Sequence, residues 1–154
     1  MNLITQQILS ENEVLEKLRS KRIGLGYRAM FSSYLGGVVT DPALMQIPID
    51  DHLVHRGHGV FDTCTLGNGH LYRLSIHLDR LLQSAELARI DHPWSKTDLA
   101  KIITETASIS GVQNGSIRYW LSVGPGGFSP SLRRVQRGVF LLYCLRSRAP
   151  RRRI

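Results

Sequence analysis

The chain has 154 residues, 42% hydrophobic and 21% charged, enough for one ordinary domain around a single core and with no apolar run near the roughly 20 residues that cross a bilayer. Two cysteines, Cys64 and Cys144, make no disulfide framework and lack a metal-ligand spacing, and Met1–Ile4 carries no basic region ahead of an apolar stretch; no secretory signal is expected, and a reducing compartment, by default the cytoplasm, is. The net charge of +8 resides entirely in eight arginines after Leu132, for setting those aside leaves 12 basic and 12 acidic residues.

In chain order, Ser10 to Arg22 reads as a helix. Ser10 can cap it, Glu13 stands at the capping-box spacing, Leu15 and Leu18 share a face, and Gly24 and Gly26 end it. Arg28 to Tyr34 suits a strand, Gly36-Gly37 a turn, and Val38 to Thr40 a second strand. Asp41-Pro42 and Ile47-Pro48 break the chain, because a residue before proline is biased to extended geometry. His52, His55 and His58 recur at spacing three, but the glycines and the strand that follow argue against a helix there. They read as loop histidines, with no metal site expected.

Val60 to Leu66 is rich in β-branched and aromatic residues and reads as a strand. Gly67-Asn68-Gly69 makes a hairpin turn, and His70 to Leu74 returns as the partner. A helix is expected from Ile76 to about Arg89, capped by Ser75, with Ile76, Leu81 or Leu82, Ala85 and Ala88 inward. Ser95 caps another through Ser108, with Asp98 in the capping-box place and Leu99, Ile102, Ile103 and Ala107 inward. Ile117 to Val123 is a strand and Gly124 to Gly127 a loop. Hairpins followed by grouped helices predict an α+β domain, an antiparallel sheet with helices packed on one side. After Ser131 the only strand-like run is Val139 to Tyr143. A basic tail of this kind can bind phosphate backbones non-specifically, but no RNP, zinc-finger or helix-turn-helix pattern accompanies it; a solvated tail is the expectation and nucleic acid is not.

Two segments carry the chemistry. His55-Arg56-Gly57-His58-Gly59-Val60-Phe61-Asp62-Thr63 joins a glycine turn to a strand bearing an acid. His77-Leu78-Asp79-Arg80-Leu81 puts a histidine and an arginine at i and i+3 of a helix, off one face. A guanidinium presents a planar fork of donors that matches a phosphate. In this order and spacing the two segments resemble the first domain of the class IV aminotransferases, pyridoxal-phosphate enzymes of fold type IV. They include D-amino-acid transaminases, branched-chain aminotransferases and aminodeoxychorismate lyases. The resemblance runs from about Met30 to Phe128 and fades after Ser129-Pro130.

The resemblance implies that Arg80 binds the cofactor phosphate and that Phe61 and Asp62 belong to the substrate pocket, Asp62 standing where many members have glutamate. The carboxylate-gripping arginine of bacterial D-amino-acid transaminases would fall at Val123. The Gly124-Pro125-Gly126 that follows looks more like a plant-type or lyase-like branch. Intact members transfer an amino group between an amino acid and a 2-oxo acid, or eliminate pyruvate, and are usually dimers. None of Lys17, Lys21, Lys96 and Lys101 matches the family's reactive lysine, which belongs to a second domain, so no catalytic residue is assigned. The expected organisation is an N-terminal helix and linker (1–26), a first domain (27–130) and an Arg-rich tail (131–154), with the lysine-bearing domain missing. Such a chain reads as a truncated product, inactive alone, that forms a homo-oligomer or associates with a full-length paralogue and has no membrane partner.

Overall fold

A computed structural model describes residues 7–126 and 138–146. Six strands form one antiparallel sheet in the order β2-β1-β6-β5-β3-β4: β1 (Tyr27–Ser32), β2 (Gly37–Val39), β3 (Gly59–Gly67), β4 (His70–Leu71), β5 (Gly115–Ser122) and β6 (Val139–Arg146). Among the described residues four α-helices accompany it: α1 (Glu11–Arg22), α2 (His52–Arg56), α3 (Leu74–Leu87) and α4 (Lys96–Ser110), with a 3-10 turn at Pro42–Leu44. α3 packs on β3, and α4 packs on β1, β6 and α3. This is the expected α+β arrangement.

The core lies between the sheet and the pair α3 and α4. Cys64, Ile117, Tyr119, Leu121, Phe140, Leu142 and Cys144 come from the sheet; Leu78, Leu81, Ala85, Leu99 and Ile103 come from the helices. Each is a strand residue on one face or a helix residue at i, i+3, i+4 or i+7 spacing. Both helices that begin with serine and an acid three residues on, α1 and α4, close a complete capping box at Ser10/Glu13 and Ser95/Asp98. The Asn68-Gly69 turn takes positive φ at both residues, 48° and 76°, so β3 and β4 meet tightly at Gly67 and His70.

Several boundaries differ from expectation. α3 starts at Leu74, not Ile76, with Arg73 as an uncapped left-handed N-cap, so Ser75 lies inside the first turn. That start turns Leu78 inward, while Ile76, expected inside, is 53% exposed. β4 keeps only two residues because the chain is already turning into α3. His52 and His55 are helical after all, while His58 stands in the loop expected of it. Asp51 caps α2 through Leu53 N–H at 2.8 Å, and Gly57 ends it at φ 65°, a conformation glycine adopts without cost.

The largest correction concerns the boundary at residue 130. Val139–Arg146 pairs with both β1 and β5, an interior strand whose Val139, Phe140, Leu141, Leu142 and Cys144 are buried. The arginine-rich composition of residues 131–154 conceals it, whereas the apolar run decides the packing. Residues 127–137 and 147–154, which hold seven of the eight tail arginines, lie outside the described residues, as does the Arg146 side chain.

Candidate functional site

β3 separates Phe61 from Asp62. Successive strand residues point to opposite faces. Asp62 is 7% exposed on the face covered by α3, whereas Phe61 is 60% exposed on the other. The two residues expected to share one pocket thus lie on opposite faces of the strand.

Asp62 instead joins the helix. Its Oδ1 accepts from the Thr63 N–H at 2.6 Å and from His77 Nδ1 at 3.1 Å, and its Oδ2 lies 3.6 Å from Arg80 Nε. The first two are hydrogen bonds; the third is an ion pair, too long for a hydrogen bond. With Asp62 accepting, Nδ1 of His77 is assigned the proton. The i, i+3 spacing on α3 sets both side chains above the one carboxylate. Arg80 is 66% exposed and meets Asp62 through Nε, which leaves the two terminal Nη groups with donors for a further acceptor.

Beneath this cluster, Tyr119 stands in register with Asp62 on β5. Its ring is fully buried, and its hydroxyl has no hydrogen-bond partner among the described residues. Burial pushes its pKa well above the usual phenol value, and the neighbouring Asp62 and Cys64 push it further in the same direction.

On the opposite face, Arg118 lies over the Phe61 ring at 5.3 Å and donates from Nε to Thr63 Oγ1 at 3.1 Å. Trp120 and Tyr143 follow at 5.2 Å between centroids. Arg118 escaped notice in the sequence because the carboxylate-gripping position fell on Val123, which is only 7% exposed and donates its N–H to the His58 carbonyl. The available signal was the alternation itself: Thr63 and Arg118 are cross-strand partners on the Phe61 face.

Of the three histidines, His52 and His55 meet edge to face with ring centroids 5.0 Å apart, while the ring nitrogens of His55 and His58 turn to backbone carbonyls, those of Asp50 and Ala88 respectively. His52 is buried, with neither ring nitrogen bonded among the described residues. No group of three or more metal-type side chains forms among the described residues. Next to His52, Gly124-Pro125-Gly126 is fastened to the start of α2. His52 N–H donates to the Gly124 carbonyl at 3.1 Å, Gly126 N–H to the Asp50 carbonyl at 3.0 Å, and Ser122 Oγ to buried Asp51 at 3.0 Å.

The strand bearing an acid, the helix displaying His77 and Arg80, and the interior strand β6 all fall within residues 59–153, which match the family model of the class IV amino-transferases. The chain belongs to the class IV aminotransferase family. It is 52% identical over 126 residues to the chloroplastic D-amino-acid transaminase of Arabidopsis thaliana, a match that covers 80% of this chain and 34% of that protein. Its fold is that of the branched-chain amino acid aminotransferase of Escherichia coli (TM-score 0.69, 18% identity, 80% of this chain and 41% of that one). It also matches a 4-amino-4-deoxychorismate lyase from Pseudomonas aeruginosa (TM-score 0.56, 19% identity, 66% and 36%). The chain spans about a third of the length of the curated relatives it matches.

The family match runs to residue 153, past the point near residue 130 where the resemblance was expected to fade. The family depends on pyridoxal phosphate. The phosphate end of that cofactor suits the Arg80 cluster: an exposed guanidinium that meets Asp62 through Nε and so keeps its terminal donors for another acceptor. The lysines lie elsewhere. Lys17 and Lys21 are on α1, Lys96 pairs with Asp79 at 2.6 Å, and Lys101 reaches Glu105 at 4.0 Å. No helix among the described residues is long and apolar enough to cross a membrane.

Proposed function

We propose that this chain supplies the phosphate-gripping part of a pyridoxal-phosphate-dependent transaminase that moves an amino group between an amino acid and a 2-oxo acid. The observation that carries the reading is the exposed Arg80 paired with buried Asp62 through Nε, which leaves its Nη donors for a further acceptor. The 52% identity to a D-amino-acid transaminase favours a D-amino acid as donor over the lyase reaction. When bound, the cofactor supplies the electron sink. Arg80 holds its phosphate with paired, charge-assisted hydrogen bonds, while His77 flanks the guanidinium. On the other face, Phe61 offers an apolar wall without a hydroxyl, and Arg118 offers a guanidinium to a carboxylate. Turnover needs the family's lysine, which none of the four lysines matches, so the activity belongs to an assembly or longer protein that provides it. A full-length family member, which would bring that lysine, is the proposed partner for turnover; a second copy of this chain would carry only the same four lysines and could complete an interface but not the chemistry. Cys64 and Cys144, both free and buried, suit a reducing compartment such as the cytoplasm or an organelle interior.

The test uses pyridoxine 5'-phosphate, which has no aldehyde to react with surface lysines. Titration followed by amide chemical shifts is expected to move resonances of α3, and Arg80→Ala to weaken binding at least about tenfold, the loss of one charge-assisted contact. Equal affinity in the two proteins would sink the reading. With pyridoxal phosphate itself, borohydride reduction and intact mass are expected to show no single preferred lysine.

A further inference from the structure

We propose that Asp62 is a positioning residue for the phosphate, its carboxylate fixing the Arg80 guanidinium and the His77 imidazole in one orientation. This rests on the reading of Arg80 as the phosphate ligand. Among the described residues, the Asp62 carboxylate contacts nothing on the Phe61 face, where a substrate chain would lie. It is 7% exposed, backs onto fully buried Tyr119, and spends its oxygens on its neighbour Thr63 and on α3.

Each contact has a geometric consequence. The Thr63 N–H at 2.6 Å ties Oδ1 to the strand backbone, so the carboxylate is as rigid as the sheet. The His77 contact at 3.1 Å uses the same oxygen and fixes the ring tautomer. Oδ2 then faces Nε of Arg80, one turn along α3, and holds the guanidinium by its inner edge. Because Asp62 meets Nε, the terminal Nη pair keeps its donors for another acceptor. A free surface arginine loses rotamer entropy when it grips an anion, and one already held loses less.

Charge alone gives the opposite sign. A carboxylate beside Arg80 lowers the local positive potential and opposes anion binding. If Asp62 acted only through its charge, neutralising it would tighten phosphate binding; if it acts by positioning, neutralising it weakens binding. The sign of one measurement therefore separates the two.

Inorganic phosphate and pyridoxine 5'-phosphate are titrated into the chain, Asp62→Asn and Arg80→Ala at fixed ionic strength. Side-chain 15N spectra of Arg80 are recorded without ligand. Asp62→Asn is expected to weaken both ligands about three- to tenfold, the cost of ordering one long side chain. It is also expected to speed exchange of the Arg80 Nε–H with water while the backbone amide spectrum stays folded. Affinity that is unchanged or higher in Asp62→Asn, with Arg80→Ala still abolishing it, would overturn the positioning role alone. No dependence on Arg80 in the parent would overturn the phosphate reading and this inference with it. Should Asp62→Asn fail to fold, the parent decides. An Arg80 Nε–H protected from exchange without ligand would show that the 3.6 Å ion pair closes to a hydrogen bond in solution and supports the clamp, and one exchanging as fast as the exposed Arg28 side chain removes it.

Discussion

Asp62 and Tyr119 stand opposite each other across β3 and β5, the carboxylate tied to three groups and the phenol hydroxyl tied to none among the described residues. An unpartnered buried hydroxyl costs desolvation with nothing in return. Tyr119→Phe keeps the ring and its packing near Phe140, so folding stability in urea is expected to stay level or rise by up to about 1 kcal/mol. A loss larger than that would show that the hydroxyl has a partner.

Alkaline pH acts on the same buried layer. Burial pushes the Cys144 thiol from its ordinary 9.0 up to about 11. A thiol that ionises later when folded keeps its full contribution below pH 9. Above that, the unfolded state loses its proton first, and stability falls until the folded thiol also ionises near pH 11. Tyr119 adds to the decline above pH 10, its ordinary value, because its folded pKa is raised as well. Urea midpoints at pH 8, 9.5 and 10.5 should fall in that order. Cys144→Ala should lower stability at pH 8 by about 1 kcal/mol, a typical single-substitution cost, and flatten the slope above pH 9.

Two serines that look alike in sequence should behave differently. Ser95 closes a capping box with Asp98, and Ser95→Ala is expected to cost about 1 kcal/mol. Ser75 sits inside the first turn of α3 behind Arg73, and Ser75→Ala is expected to stay within about 0.5 kcal/mol of the parent, since alanine is the better helix former. Thermal unfolding of the two variants side by side checks this.

That contrast also marks what could be read from the sequence. The capping boxes of α1 and α4 and the Asn68-Gly69 turn were legible because each is closed by residues within three positions of one another. α2 was not: its five residues depend on Asp51, whose carboxylate also takes the Ser122 hydroxyl, 71 positions along the chain. The start of α3 depends on Arg73 adopting φ 53°, which an arginine seldom signals. At the site, the shared helix face of His77 and Arg80 was legible from their spacing, while the role expected of Arg80 came from the resemblance alone. The partnership with Asp62 was not legible, because it needs the register of α3 over β3. The boundary set at residue 130 followed charge composition, but packing follows the apolar run of β6.

Two glycines mark close approaches that substitution should expose. A methyl on Gly115 would collide with the Leu145 backbone carbonyl across β5 and β6, which cannot yield without parting the strands. A methyl on Gly126 would meet the His52 ring, a side chain with some freedom to rotate. Gly115→Ala is therefore expected to lose more stability than Gly126→Ala, within the 1–3 kcal/mol typical of overpacking, about 3 against about 1. Equal losses would mean that His52 is as fixed as the backbone.

The separation of Arg80 from Arg118 by the sheet predicts separable ligand effects. Arg118 is held by Thr63 and Phe61 on one face; Arg80 is held by Asp62 on the other. Arg118→Ala should leave affinity for pyridoxine 5'-phosphate within about twofold of the parent, because nothing on the α3 side changes. The same substitution should abolish shifts of the Phe61 and Thr63 amides on adding a simple 2-oxo acid such as pyruvate, since it removes the guanidinium proposed to meet the carboxylate. Arg80→Ala should do the reverse. Parallel losses of both ligands in either variant would mean that the two arginines act on one bound molecule across the edge of β3, and that the sheet does not divide the site.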